Sequence, residues 1–344
     1  MPLFKFLIII ILSVTITSCG SNTNSKKNDF SINSSIKGKS ISNNETLSLS
    51  INNPKNHKID SIVYTLNGKQ ITAKQDLKSI KLGKQTIEAN IYYDGKNQVA
   101  TLSIIIVNSE APKVFTYNII NEYPHDITSY TQGLEFFNDN LYESTGQRGE
   151  SKLRKLDYKT GEVLNNINLA NEYFGEGLTI LNSSIYQLTW QSNIGFVYDI
   201  ETFDKKSSFK YGKSKEGWGL CNNGKTLYKS DGTESIWILN ANTLTEKEKL
   251  QVYTNKGKIG SLNELEWING KIYANIYQRN GVAIINPKNG AVEGVIDFSP
   301  LKKLVKQHQG LDVLNGIAYN SVTNTIFVTG KRWDKLFEVE IIEK

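Results

Sequence analysis

The segment QGLEFFNDNLYESTG (132–146) sets a pattern that returns four more times down the chain. The later copies are EGLTILNSSIYQLTW (176–190), WGLCNNGKTLYKSDG (218–232), NELEWINGKIYANIY (263–277) and NGIAYNSVTNTIFVTGK (315–331). Each holds a polar or aromatic residue, then Gly or Glu, an apolar residue, a short polar gap and an apolar–aromatic pair. Anchored on Gly133, Gly177, Gly219, Glu264 and Gly316, the copies lie 44, 42, 45 and 52 residues apart. A period of about 40–50 residues with several short strands per unit is the mark of β-propeller blades. The repeat therefore predicts an all-β chain with a five-bladed β-propeller over 113–344. Residues 114–120 are expected to return and complete the last blade. A short helix over 302–309 accounts for the longest spacing.

Upstream of the repeat the composition changes. Ile87, Ala89, Ile91 and Tyr93 alternate with polar residues, as on a half-buried strand. Asn67-Gly68 and Asp94-Gly95 sit between strand-like runs and are hairpin signals. Four to seven short strands in residues 31–110 predict a small immunoglobulin-like β-sandwich, with 109–112 as the link to the propeller. Residues 1–18 read as an export signal. Lys5 gives a basic start, 7–14 an apolar run too short to span a bilayer, and Ile16-Thr17-Ser18 leads into Cys19. That ending resembles a bacterial lipoprotein box, in which Cys19 carries the lipid and 19–30 is a flexible tether. A plain signal peptide is the alternative. The expected location is the cell envelope, at the outer membrane or facing the periplasm if the host is Gram-negative.

The 344-residue chain carries a net charge of +6, falling to +5 without the leader, and the charge is spread rather than gathered. Nothing in it argues for nucleic acid. Cys221 has no partner once Cys19 is lipidated, so no internal disulfide is expected, and it reads as a buried thiol. The three histidines, His57, His125 and His308, are isolated, without zinc or triad spacing. Asp231 and its neighbours offer oxygen ligands of the kind a calcium site uses, without a motif that specifies one. Trp237, Trp267 and Trp333 read as core.

Equivalent positions of a propeller repeat converge on one mouth of the channel. The residues just before the anchors are Gln132, Glu176, Trp218, Asn263 and Asn315; those at the far ends are Gly146, Trp190, Gly232, Tyr277 and Lys331. Positions that differ between otherwise similar repeats are where a symmetric scaffold becomes asymmetric, as a site requires. They supply one carboxylate, one ammonium, several amides and three large aromatics. An acid and a base in an aromatic pocket shift each other's proton affinity. The plainer reading is a structural Glu176–Lys331 ion pair plugging the channel, with the aromatics as packing and Asn263 and Asn315 as turn caps.

Eight segments carry a resemblance to a known family: PHDITSYTQGL (124–134), LYESTG (141–146), FGEGLT (174–179), GWGL (217–220), SDGT (230–233), LNELEW (262–267), VLNGIAY (313–319) and FVTGKRWDKLFEV (327–339). They resemble the plant and bacterial glutaminyl-peptide cyclotransferases, which are five-bladed propellers, and the resemblance covers about 113 to the C-terminus. It implies conversion of an N-terminal glutamine of peptides or proteins into pyroglutamate with release of ammonia, with no need of a metal or other cofactor; the protein is expected to be a monomer. By similarity Glu176 is the acid/base residue, with Lys331 and Asn263 as polar partners at the reacting amide. Gln132 binds substrate, and Tyr130, Phe174, Trp190, Trp218 and Tyr277 form the pocket. Tyr130 stands where the family often has Phe, and Tyr277 where it often has Trp. The rival reading is a non-catalytic, lipid-anchored propeller that binds a ligand or partner protein at the same mouth. A lactonase-type propeller is disfavoured, because the metal-binding ring it needs is missing from the repeat.

Overall fold

The computed structural model describes residues 29–344, so the expected signal peptide, Cys19 and most of the tether lie outside the described residues. The chain is all-β, as the repeat predicts. Among the described residues the sole helical element is a 3-10 turn at Ser299–Lys303. It falls earlier than the helix expected at 302–309, for a local reason. The Asp297 carboxylate accepts from the Ser299 amide (2.9 Å), which starts the turn early. The Gln307 amide then donates to the Lys302 and Val305 carbonyls (3.0 and 2.7 Å), engaging groups a longer helix would need.

Residues 31–107 form two sheets around one core. One has three strands (Ser31–Ser34, Thr46–Asn52 and Lys74–Asp76). The other orders Ile41–Ser42, Lys96–Val107, Gly83–Tyr93, Ile59–Leu66 and Lys69–Ile71. That is eight strands where four to seven were expected, because several are only two to four residues long. Ile87, Ala89 and Ile91 are fully buried with Leu47, Leu77, Leu82 and Ile106. Both hairpin signals form tight turns, with φ of 48° and 80° at Asn67-Gly68 and 45° and 70° at Asp94-Gly95. Two consecutive positive φ values define the type I′ turn, whose twist matches the flanking strands.

This unit also packs on the repeat region. Tyr253 and Ala291 join its core. Leu82 N donates to Asn289 O (2.9 Å), Gln251 exchanges hydrogen bonds with the Lys84 backbone (both 3.1 Å), and Lys81 pairs with Glu248 (2.7 Å).

The repeats fold into antiparallel sheets whose inner strands are Thr131–Phe137, Gly175–Leu181, Leu220–Asn222, Leu262–Ile268 and Leu314–Asn320. Each inner strand touches the next, and the fifth meets the first, giving a propeller-like ring. The short polar gaps of the repeat are the turns of the inner hairpins. Asn138-Asp139, Asn182-Ser183 and Asn269-Gly270 all have two successive positive φ values. Strand Lys113–Pro124 ties the ring together: it runs antiparallel to Lys335–Glu343 and parallel to Val292–Asp297 at 113–115.

The anchor glycines have a physical cause. A Cβ on Gly177 would lie 2.6 Å from Leu220 N and Trp218 O; one on Gly219 would lie 2.0 Å from Asn263 O. Successive inner strands approach backbone to backbone at these points, which excludes any side chain. At the fourth copy the anchor is Glu264, and its buried carboxylate reaches across to accept from Ile317 N (3.0 Å). A side-chain bridge there does what direct backbone approach does elsewhere. Cys221 and Trp333 are fully buried and Trp237 is buried, whereas Trp267 is half-buried and stacks on Tyr228 (5.4 Å, 11°).

Candidate active site

Four of the five inner strands carry a register irregularity, at Thr131/Gly133, Gly175/Leu178, Leu262/Leu265 and Leu314/Ile317. Gln132, Glu176, Asn263 and Asn315 sit in these bulges. A bulge leaves one residue outside the ladder and re-aims its side chain. The far-end residues are brought to the same place by a repeated backbone bond. Gly146 N donates to Tyr130 O (2.8 Å), Trp190 N to Phe174 O (3.0 Å), Tyr277 N to Ser261 O (2.8 Å) and Lys331 N to Val313 O (2.9 Å).

All nine residues predicted for catalysis or substrate binding meet in one cavity of about 320 Å³: Glu176, Lys331, Asn263, Gln132, Tyr130, Phe174, Trp190, Trp218 and Tyr277. Asn315 does not line it. Its amide instead donates to Thr131 O (2.9 Å) and Gln132 Oε1 (3.1 Å), holding Gln132 from behind. Gln132 in turn donates to Glu176 Oε1 (3.1 Å), so Asn315, Gln132 and Glu176 form a relay of oriented side chains.

Glu176 is 4% exposed, and its Oε2 has no hydrogen-bond partner. Burial pushes its carboxyl well above the usual range; the Lys331 charge opposes that shift and the Glu216 charge adds to it. Lys331 is lowered by burial and partly restored by Glu176 and Asp312. The ion pair that would plug the channel is not formed: among the described residues no Glu176–Lys331 contact falls within the 4.0 Å of a salt bridge. The Lys331 ammonium lies over the rings of Tyr130 (4.7 Å) and Tyr277 (5.2 Å) instead, a favourable placement for a desolvated cation. Opposite charges that feel each other without closing leave space for a polar group between them. The Asn263 carboxamide oxygen is also buried and unpartnered.

The walls are aromatic. Tyr130 meets Phe174 edge-on (6.1 Å), Phe174 meets Trp190 (5.5 Å), and Trp218 meets Tyr277 (5.5 Å). Gly146 and Gly232 are glycines because a Cβ would strike the Phe174 ring at 2.3 Å and the Trp218 ring at 2.6 Å. The Tyr130 hydroxyl is engaged, donating to Asp312 Oδ2 (2.8 Å).

Sequence reasoning missed three contributors. Gln147 lines the cavity. Asp312 holds Tyr130. Glu216 accepts from the indole N–H of both Trp190 and Trp218 (2.9 Å each), fixing two walls with one carboxylate oxygen. A signal for Glu216 was available: it stands two residues before Trp218, as Tyr130 does before Gln132 and Phe174 before Glu176. Below it, buried Lys229 donates to the Glu216 carbonyl (2.8 Å).

His125, 2% exposed in its side chain, serves the same scaffold from outside the cavity. Its two ring nitrogens face the Trp333 carbonyl (2.7 Å) and the Glu143 carboxylate (3.1 Å). It thereby joins the loop leading to Tyr130 to the turn that bears Lys331. Asp231 is occupied with Thr233 and the Trp237 indole (2.6 Å to each side chain), and no group of three or more metal-ligating side chains occurs among the described residues.

Comparison with known proteins gives a consistent result. A family model described as glutamine cyclotransferase matches residues 96–341. A glutaminyl-peptide cyclotransferase of Arabidopsis thaliana is 42% identical over 226 residues, which cover 65% of this chain and 70% of that protein. The crystal structure of Myxococcus xanthus glutaminyl cyclase superposes with a TM-score of 0.63 at 35% identity, spanning 68% of this chain and 99% of that one.

Proposed function

This chain belongs to the glutamine cyclotransferase family, and from that premise we propose that its ring mouth converts the N-terminal glutamine of peptides or proteins to pyroglutamate, releasing ammonia, with Glu176 as the proton shuttle. The observation that carries the shuttle is the Glu176 carboxylate: buried, raised in proton affinity, fixed by Gln132 on one oxygen and unpartnered on the other.

The substrate's α-amine attacks its own γ-carboxamide carbon, so the side chain must curl back on itself. Aromatic walls whose rings pack edge to face favour that compact shape and exclude water. Glu176 takes a proton from the attacking nitrogen as the N–C bond forms. The carbonyl oxygen becomes an oxyanion beside the Lys331 ammonium. Glu176 then returns the proton to the departing nitrogen, the C–N bond breaks, and ammonia leaves. Asn263 accepts from an N–H of the reacting amide through its free oxygen. A carboxyl whose proton affinity is raised by burial suits both halves of the transfer. The cavity lining offers one carboxylate and no imidazole or thiolate, so the chemistry is assigned without a metal.

The test is ammonia release from a short glutamine-initiated peptide, with loss of one ammonia from the peptide's mass. Folded protein that releases none beyond the spontaneous rate would return the mouth to a binding role. Glu216→Ala is expected to raise KM about tenfold while lowering kcat less, because loss of charge-assisted bonds frees both indoles. An unchanged KM would show that the walls are set by packing alone.

The finer architecture is part of the same proposal. The five inner strands correspond to five blades, and the two-sheet unit at 31–107 is read as immunoglobulin-like. Export and lipidation at Cys19 rest on residues 1–19 of the sequence, and would place a monomeric enzyme at the cell envelope.

A further inference from the structure

Once the first residue of a peptide fills the cavity, its carbonyl and the second residue must leave by the mouth. Consecutive Cα atoms are 3.8 Å apart, so the second side chain lies at the rim. The rim beside Lys331 is built around Arg332. Its backbone is held in the left-handed region (φ 59°), a conformation that strains a residue with this side chain. Two bonds hold it there: Arg332 N donates to Ser129 O (2.7 Å), and Arg332 O accepts from His308 Nε2 (2.9 Å). The guanidinium lies 5.9 Å from the centroid of Tyr130, a wall of the cavity.

The guanidinium is short of partners. Its Nε is buried and unbonded, and its one carboxylate neighbour, Glu150, is 3.9 Å away and 66% exposed. It faces a second cavity of about 420 Å³ whose charged lining is Arg332, Lys306 and Glu150. A third cavity of about 500 Å³ adjoins this one at Thr128 and Glu150, adding Lys152 and Arg154. Arg154 is already paired with Asp126 (2.7 Å). Across the mouth, Arg148 lies 6.0 Å from the Trp190 ring. Cations thus outnumber carboxylates in the linings of these two cavities, the first of which begins at the strained arginine next to Lys331.

We propose that Arg332 and the cavity it faces form a subsite for an acidic side chain at the second position of the peptide substrate. The inference rests on the cyclotransferase reading and adds a sequence preference to it. A guanidinium offers a carboxylate parallel N–H donors from its two terminal nitrogens. The contact is made equally in ground and transition states, so it acts on KM rather than kcat.

The experiment measures kcat and KM for otherwise identical peptides beginning Gln-Glu, Gln-Gln and Gln-Lys, with wild type, Arg332→Asn and Glu150→Gln. Asparagine tolerates the left-handed backbone, so the turn survives while the guanidinium is lost. For a pair at a partly exposed arginine, kcat/KM is expected to favour Glu over Gln by about three- to tenfold, mostly through KM, with Lys last. Arg332→Asn should level the three peptides, and Glu150→Gln should widen the preference by removing the competing carboxylate. Equal wild-type values for all three peptides would overturn the subsite while leaving the cyclotransferase intact. A uniform loss for all three in Arg332→Asn would also overturn it, by showing that Arg332 only props Tyr130 and Lys331. No ammonia from any peptide would sink the underlying reaction and the subsite together.

Discussion

Glu176→Gln is expected to fold normally, melt higher than wild type and lose turnover by about 10²–10⁴-fold, the range general acid–base catalysis supplies. The replacement is nearly isosteric. Its carbonyl oxygen still accepts from Gln132, so the side chain keeps its place. What disappears is the capacity to take a proton from the attacking amine and hand it to the leaving nitrogen. The stability effect has a definite sign. Burial raises the folded-state proton affinity of Glu176 above that of the unfolded chain. From the unfolded carboxyl's titration upward, the unfolded state therefore binds fewer protons than the native one, and stability falls as pH rises until the folded group ionises as well. A neutral glutamine removes that loss, and in a domain of this size each kcal/mol regained is worth about 2–4 °C in Tm. The check pairs ammonia release with melting curves at pH 5 and pH 8, and the gain in Tm should be larger at pH 8. A variant that keeps substantial kcat would remove Glu176 from the proton path. One that is inactive but less stable at both pH values would make it a structural residue.

Much of the site was legible because the repeat is a spatial code. Residues at one register position of each copy must meet on the ring, and bulges at four of those positions turn Gln132, Glu176, Asn263 and Asn315 away from the ladder. Which of them face the cavity was not legible. Asn315 occupies the same register as Glu176, yet it points to the neighbouring strand and supports Gln132. Glu216 and Asp312 escaped notice because their role is to hold rings through indole and phenol groups; the one linear cue, that Glu216 stands two residues before Trp218, marks a position and not such a bond. The helix expected at 302–309 failed for a similar reason: the Asp297 and Gln307 side chains decide where backbone groups find partners, and periodicity does not register them. The packing of residues 31–107 onto Gln251, Tyr253 and Asn289 was likewise invisible, since those contacts link segments with no common pattern.

Gly219→Ala is expected to damage both fold and site, although Gly219 does not line the active-site cavity and carries no chemistry. Its methyl group would sit 2.0 Å from Asn263 O and 2.8 Å from the Glu264 Cα, both backbone atoms of the next inner strand. A flexible side chain can rotate away from such a clash; a strand locked in a ring cannot. Overpacking a rigid core costs typically 1–3 kcal/mol and sometimes more, so a loss of about 3 kcal/mol is expected here. The strand that must yield is the one that bears Asn263. Its carbonyl also accepts from Ser230 Oγ (2.7 Å), and that hydroxyl accepts from Gly219 N (2.6 Å), so one displacement breaks a closed set of contacts. A shift of about 1 Å in a group that positions the reacting amide costs on the order of 10²-fold in rate. The matched control is Gly260→Ala, where an added methyl meets nothing within 4 Å. Denaturant midpoints and kcat for the two variants separate the effects. Gly260→Ala should match wild type in both, and Gly219→Ala should lose both. If Gly219→Ala retained wild-type stability, the inner strands would have to be far more compliant than their backbone contacts imply. The anchor glycines of the repeat would then need another explanation.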